Sequence, residues 1–388
     1  MTEHDPYYDG RTVYSLQVAQ LRPGDIVLTR NRRDPHRKGR KQSAVIAASG
    51  ASIFSHAAIC SQPPTLIEAI GPGVSTLSVA NSFYHEERDV RVLRYADETI
   101  ARRAAAKAGL FLGKGYSVVM AIKSVTPAAS DASAPTIRTF CSALVAAAYR
   151  ATGAAEFQSI NPNRTTPGSF AHMSFLEDVT AQVSRAMLAP QNVEEMTALD
   201  GKRRPSPFDG QAKALFELHA VAADDVEMLI KKRNVSLAIP TTFFETLDFL
   251  VKALLWATEG DDPIKQEYLS DLRAIDRKLA DALDLSDLPR MNESAEAHDG
   301  ESLAHAIRES FEPKPDIDIL AMRELFGATA SQIESRGWVL DDAHRNAGLS
   351  LVWDRWCVLS AKSIENLRAR QIALGEVLER IDRSQPVE

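Results

Sequence analysis

Residues 54–70 read Phe54-Ser55-His56-Ala57-Ala58-Ile59-Cys60-Ser61-Gln62-Pro63-Pro64-Thr65-Leu66-Ile67-Glu68-Ala69-Ile70. Two apolar runs, Phe54 to Cys60 and Thr65 to Ile70, flank Ser61-Gln62-Pro63-Pro64, which is the pattern of two strands joined by a short turn. With Cys60 and Pro64 flanking a three-residue loop, His56 falls directly opposite Glu68 in an antiparallel pair. Both side chains then share one face, with Cβ atoms about 5 Å apart. A one-residue slip would send them to opposite faces. A carboxylate between Ile67 and Ala69 on a half-buried strand is costly unless paired, so Glu68 needs a partner on any reading. Paired with His56, it fixes one imidazole tautomer and leaves the other nitrogen free as a base.

Working outward, Leu21-Arg22-Pro23-Gly24-Asp25-Ile26-Val27-Leu28 is a turn feeding a short apolar strand, and Val90 to Tyr95 is a further strand. A basic loop runs from Arg30 through Arg32, Arg33, Arg37, Lys38, Arg40 and Lys41, followed by a short helix at Ser43–Ala48. Asp97 can cap a helix through Ala101, Ala105, Ala108 and Leu110 that stops near Gly113 and Gly115. Thr139 can cap a second helix, Phe140 to Thr152, closed by Gly153. Cys141 then sits in a first helical turn, where unpaired backbone N–H groups and the positive end of the macrodipole stabilise a thiolate. Thiolate, base and orienting acid are the parts of a cysteine nucleophile system. Alone, Cys141 would be a small buried hydrophobe and His56 a satisfied core histidine; each gains weight from the other and from Glu68. Cys60, which shares strand parity with His56 but lacks a helix N-terminus, and Cys357, beside Trp356, read as core. His85 and His172 carry no motif and read as surface or loop residues.

At these residues the chain resembles the circularly permuted NlpC-type papain-like cysteine hydrolases of the YiiX/YebB-like group. The blocks that carry the resemblance are Gly24-Asp25-Ile26-Val27, Phe54-Ser55-His56, Ile67-Glu68-Ala69, Gly113-Lys114-Gly115-Tyr116 and Phe140-Cys141-Ser142-Ala143-Leu144-Val145. It covers about residues 15–180, with the histidine strand and its acid ahead of the cysteine helix. It implies Cys141 as nucleophile, His56 as base and Glu68 as orienting group. Tyr116 would be a wall of the substrate cleft and Ser55 a second substrate-binding residue. The family often has Glu two residues after the cysteine and Asp after the tyrosine, where this chain has Ala143 and Ser117. The core triple survives both departures.

The 388 residues carry a formal net charge of −7 and are 45% hydrophobic, a composition of globular domains rather than of disordered or fibrous chains. The charge is split: residues 1–200 hold 21 basic and 18 acidic side chains, residues 201–388 hold 24 and 34. That balance speaks against a dedicated nucleic-acid binder. No basic-then-apolar leader and no long apolar span are visible, and three cysteines without metal-ligand spacing point to reduced thiols and a cytoplasmic protein, export as an effector remaining compatible.

Beyond Pro190 the chain turns helix-periodic. Ile264, Leu269, Leu272, Ile275, Leu279 and Leu283 share one face, as do Ile364, Leu367, Leu374, Leu378 and Ile381. The expected organisation is an α+β, permuted papain-like domain over 1–189, with an antiparallel sheet and a cysteine-bearing helix. A linker follows at 190–210, then an α-helical accessory domain over 211–388. The expected activity is cleavage of an amide or peptide bond, with ester or thioester left open, through a thioester acyl-enzyme and without metal or organic cofactor. Two alternatives stand beside it. One is a non-catalytic papain-like scaffold whose acidic helical half binds a partner protein. The other is a lipid acyl hydrolase or acyltransferase, weakened because the Asn-Cys-Glu-His arrangement of the lecithin-retinol acyltransferase-like branch is missing around Cys141. The basic loop 30–41 reads as a solvated segment or as an attractor of anionic ligands.

Overall fold

A computed structural model describes residues 12–31, 52–71, 73–79, 82–117, 120–121, 138–188, 197–201, 207–232, 237–260, 262–291 and 346–384, with a few isolated positions between 323 and 333. The expected helix at Ser43–Ala48 and all of the basic loop beyond Asn31 lie outside these residues. The chain divides into two compact units. One comprises residues 1–109, 115–133 and 138–206; the other comprises 110–114, 134–137 and 207–388. The division after residue 206 lies inside the stretch read as a linker, and within that stretch Thr197–Ala198 is a strand of the first unit, paired in parallel with Ser82–Phe83.

The first unit is mixed α and β. Its strands are β1 (Thr12–Leu16), β2 (Ile26–Thr29), β3 (His56–Gln62), β4 (Thr65–Ile70), β5 (Gly73–Ser78), β6 (Ser82–Phe83), β7 (Val90–Tyr95), β8 (Gly115–Tyr116), β9 (Arg138–Thr139), β10 (Leu176–Asp178), β11 (Ser184–Leu188) and β12 (Thr197–Ala198). Six of them form an antiparallel sheet in the order β10-β7-β2-β3-β4-β5. Helices α1 (Glu98–Gly109) and α2 (Cys141–Arg150) pack on β3 and on each other. β2 is buried at every position because it lies inside the sheet, which is why it reads as an unbroken apolar run.

The turn before β2 is held by two residues. Gly24 has φ 93°, and a Cβ there would come within 2.6 Å of Ala101, so this close approach of turn and α1 needs glycine. Asp25 is buried and takes a two-pronged ion pair from Arg94, Nε to Oδ1 at 2.8 Å and Nη2 to Oδ2 at 2.7 Å. Its Oδ2 also accepts the Arg22 N–H at 2.8 Å. The Gly24-Asp25 block is therefore a bracket of the fold.

Two local expectations are corrected. The β3–β4 pair is not in the register inferred above: Ala58, not His56, lies opposite Glu68, and Gln62 pairs with Thr65. Pro64 has no N–H to give to the ladder, so β4 starts at Thr65, and an irregularity between Cys60 and Gln62 takes up the odd residue. Along the paired stretch the net shift is two residues, which preserves the face. The second correction concerns α2, which begins one residue later than expected. Thr139 belongs to β9, and Phe140 stands at the N-cap without a side-chain cap. The Asp97 cap of α1 is present, its Oδ1 accepting the Ile100 N–H at 3.0 Å.

The second unit is helical: α3 (Pro207–Lys232), α4 (Phe243–Thr258), α5 (Pro263–Leu285) and α6 (Leu351–Ser384). Leu218, Val226, Leu250, Leu254, Leu272 and Leu279 are among the buried residues of its core. Leu269, Leu272, Ile275, Leu279 and Leu283 are buried as the periodicity requires; Ile264 is exposed because it lies in the first turn of α5. Asp276, buried on α5, accepts the Leu351 and Val352 N–H groups at 2.7 and 3.2 Å and the Ser350 hydroxyl at 2.6 Å, and so caps α6. Among the described residues no helix is long and apolar enough to cross a membrane.

Candidate active site

His56 opens β3 and Glu68 lies in the middle of β4. Although they are diagonal neighbours rather than directly opposed, their side chains span the gap, with His56 Nε2 2.7 Å from Glu68 Oε2. Such diagonal pairs are within reach of long side chains on a common face. Glu68 is 3% exposed, and the imidazole, at 23%, keeps one flank open. Nε2 is thereby committed to the carboxylate, and Nδ1 is the nitrogen left for another partner.

That partner is Cys141, the first residue of α2 and 4% exposed, whose thiol shares a hydrogen bond with His56. Burial alone would raise the Cys141 pKa. The hydrogen bond and charge of His56, with the backbone N–H groups of Ala57 and Ser142, outweigh it and bring the thiol below its usual range. Burial would likewise lower the imidazole. The hydrogen bonds and charges of Cys141 and Glu68 reverse this and lift His56 to about 10. Both shifts run toward a thiolate–imidazolium pair, next to the buried Glu68 carboxylate.

Local sequence explains the placement of the thiol. With Phe140 at the N-cap offering no side-chain acceptor, the amides opening α2 remain available for a thiolate or an oxyanion. A cap at that position would have competed for them. The neighbouring hydroxyl of Ser142 is spent on the Thr165 carbonyl at 2.7 Å, so it is a fold contact rather than a second nucleophile. These amide donors, Ala57 and Ser142, were not visible as site residues in the sequence, since backbone groups carry no sequence signal beyond the helix start.

Tyr116 packs with Phe140, Ala121 and Ala143 beside the cysteine. Burial, and then the Cys141 charge, raise its pKa. Its backbone pairs with Thr139 in β9. Ser55 accepts the Asn31 N–H at 3.2 Å through Oγ, which ties down the exit of β2. Among the remaining residues singled out above, Cys60 is buried with its pKa raised by that burial, and Cys357 is only half-buried. His85 is no loose loop residue. Its backbone N–H and Nδ1 both bind the buried Asp200, at 2.9 Å. His172 helps to line a cavity of about 760 Å³ with Phe54, Arg88 and Arg91; Cys141, His56 and Tyr116 do not line it. No group of His, Cys, Asp or Glu among the described residues is arranged to hold a metal ion.

No protein-family model matches the sequence, and neither a curated protein nor a solved structure matches it significantly.

Proposed function

We propose that this chain is a cysteine hydrolase of the acyl-transfer type, built on a permuted papain-like domain, with an amide or peptide bond as substrate. One observation carries the reading: a single imidazole joins a buried carboxylate, Nε2 to Oε2 at 2.7 Å, to a thiol at the start of a helix. The Cys141 thiolate attacks the carbonyl carbon, and the electron pair of the C=O bond moves to oxygen, where the uncapped amides of α2 stabilise it. Collapse of the tetrahedral adduct expels the amine, which takes its proton from the His56 imidazolium. Neutral His56 then removes a proton from water as it attacks the thioester. The acid leaves, the thiolate is released and the imidazolium is restored, so no redox partner is needed. Glu68 holds the ring in one orientation and supports its positive charge throughout. An ester or thioester would follow the same steps.

Iodoacetamide alkylation of each cysteine against pH, read by peptide mass spectrometry, tests the reading. The expectation is fast modification of Cys141 below the ordinary thiol range near pH 8.5, with the profile moved upward in His56→Ala. If Cys141 is inert, or titrates like a free thiol whether or not His56 is present, the domain is a scaffold and the enzyme assignment fails.

A further inference from the structure

A helix start leaves four backbone N–H groups without a partner inside the helix, and the usual remedy is an oxygen-bearing side chain at the N-cap. At α2 that position is Phe140, which offers none, yet Cys141 and Ser142 behind it are buried. A buried, uncapped first turn has to be held by other means. The Ser142 hydroxyl supplies one. It donates to the carbonyl of Thr165, 23 residues further along the chain, at 2.7 Å, and both groups are buried.

The accepting carbonyl sits between two closed turns. On one side, Asn161 Oδ1 accepts the Asn163 N–H at 3.0 Å and caps the 3-10 turn Pro162–Arg164. The Thr165 hydroxyl donates back to the Asn161 carbonyl at 2.9 Å, and the Thr165 N–H to the Pro162 carbonyl at 3.2 Å. On the other side, Thr166 opens the short helix Pro167–Phe170 with a capping box. Thr166 Oγ1 accepts the Ser169 N–H at 3.1 Å, and Ser169 Oγ accepts the Thr166 N–H at 3.2 Å. The backbone on both sides of the Thr165 carbonyl is thereby fixed, and the 3-10 turn packs on α2. All of these groups belong to the first unit.

The sense of this bond matters. A capping side chain accepts from the first amides of a helix and so uses them up. The Ser142 hydroxyl gives its proton away from the helix, to a carbonyl of another segment, and takes no amide. The Ser142 N–H meanwhile hydrogen-bonds the Cys141 sulfur, together with the N–H of Ala57. Packing alone does not call for a hydroxyl here, because alanine, which fills positions 143 and 146–148 of the same helix, has nearly the same volume. A buried hydroxyl is costly unless it is paired; what it adds over alanine is a fixed direction for the first turn.

On the reading of Cys141 as the nucleophile, we propose that Ser142 is a positioning residue: its hydroxyl, anchored on the Thr165 carbonyl, holds the uncapped first turn of α2 so that the Ser142 N–H stays directed at the Cys141 sulfur. The segment 161–169 then has a part in the reaction as the brace of that turn, without any reacting group of its own.

The test is the pH profile of Cys141 alkylation by iodoacetamide in the full-length chain, each cysteine resolved by peptide mass spectrometry, with urea denaturation run on the same samples. Ser142→Ala is expected to move the first step of the profile upward by about half a pH unit or more, a roughly threefold loss of thiolate at a pH below the step. Thr165→Val, which frees the anchor from Asn161, should move it in the same direction, and the double variant should go no further than Ser142→Ala alone, as for two residues acting through one bond. Asp97→Ala is the control: it removes the cap of α1 in the same unit and should lower the denaturation midpoint while leaving the profile in place. A wild-type Cys141 that is not unusually reactive defeats the active-site reading itself. A reactive Cys141 overturns the positioning role, and leaves the active-site reading standing, if its profile is unmoved in Ser142→Ala or in Thr165→Val, moves additively in the double variant, or moves as far in Asp97→Ala. If Ser142→Ala fails to fold, Thr165→Val against Asp97→Ala decides the matter alone.

Discussion

His56 and Glu68 meet at 2.7 Å although they are two residues apart in register, with Ala58 opposite the carboxylate. Nε2 is occupied at Glu68, and the same side chain hydrogen-bonds the thiol of Cys141, the first residue of α2. A directly opposed pair would have met at closer backbone spacing; the diagonal suits two long side chains with planar ends. The relationship makes the protonation state of His56 depend on both partners.

The alkylation profile of Cys141 should accordingly show two steps. The first lies below the ordinary thiol range, where the thiolate forms beside an imidazolium. His56 holds its proton up to about pH 10, and on losing it the thiolate loses its counter-charge and becomes more nucleophilic, so the rate rises again there. Glu68→Gln removes the negative charge that favours the imidazolium and leaves only a neutral oxygen to accept from Nε2. The second step should therefore move to lower pH, and hydrolysis, once a substrate is found, should fall about 100-fold or more. A Glu68→Gln profile that overlays the wild type would show that the carboxylate does not tune the base.

Cys141→Ser separates chemistry from folding. The serine hydroxyl fits the same buried space and can accept the Ala57 and Ser142 N–H groups that the thiolate accepts. Stability should change by about 1 kcal/mol or less, measured by urea denaturation, while labelling at this position disappears. A loss of several kcal/mol would mean that the thiol is chiefly a packing group.

Asp25 belongs to one of the sequence blocks that carry the family resemblance, yet it lies in the fold bracket with Arg94 rather than among the reacting groups. Asp25→Asn leaves a largely buried guanidinium without its counter-charge, at a cost of about 3 kcal/mol. Denaturant midpoints should fall with the slope unchanged, and the reactivity of the folded protein at Cys141 should stay as in the wild type. A changed Cys141 pH profile at full stability would assign Asp25 to the site instead.

How much of this was legible in the sequence follows from the range of each interaction. Strands β4 and β7 were bounded correctly because apolar alternation and turn residues are local signals, and the need of Glu68 for a partner followed from its apolar neighbours alone. The register failed because it turned on one proline N–H and one irregular residue, a choice of turn geometry that composition does not encode. The cap of α2 failed for a related reason: Thr139 has the right chemistry, but β9 claims its backbone. The excursion of 110–114 into the helical unit was out of reach, since its partners Thr241 and Thr242 lie more than a hundred residues away. Gly113-Lys114-Gly115 was visible as a motif; the burial of its lysine was not.

Asp276 illustrates the same limit within the helical unit. It sits on the face of α5 that also carries Leu272, Ile275, Leu279 and Leu283, where a carboxylate breaks the apolar pattern without any local reason. Its reason is α6, whose first N–H groups and Ser350 hydroxyl it accepts from 75 residues away. In Asp276→Ala three donors lose their acceptor in a buried place, and the expected loss is about 2 kcal/mol, the upper end for removal of a helix cap. Asp276→Asn keeps acceptor geometry on one oxygen and should lose less. The groups that tune the Cys141 thiol are His56 and the Ala57 and Ser142 N–H groups, all in the first unit, so the pH profile of Cys141 alkylation should stay unchanged in both variants. Urea denaturation and iodoacetamide alkylation on the same samples check this. A shifted profile would mean that Asp276 acts on the thiol and is more than a helix cap.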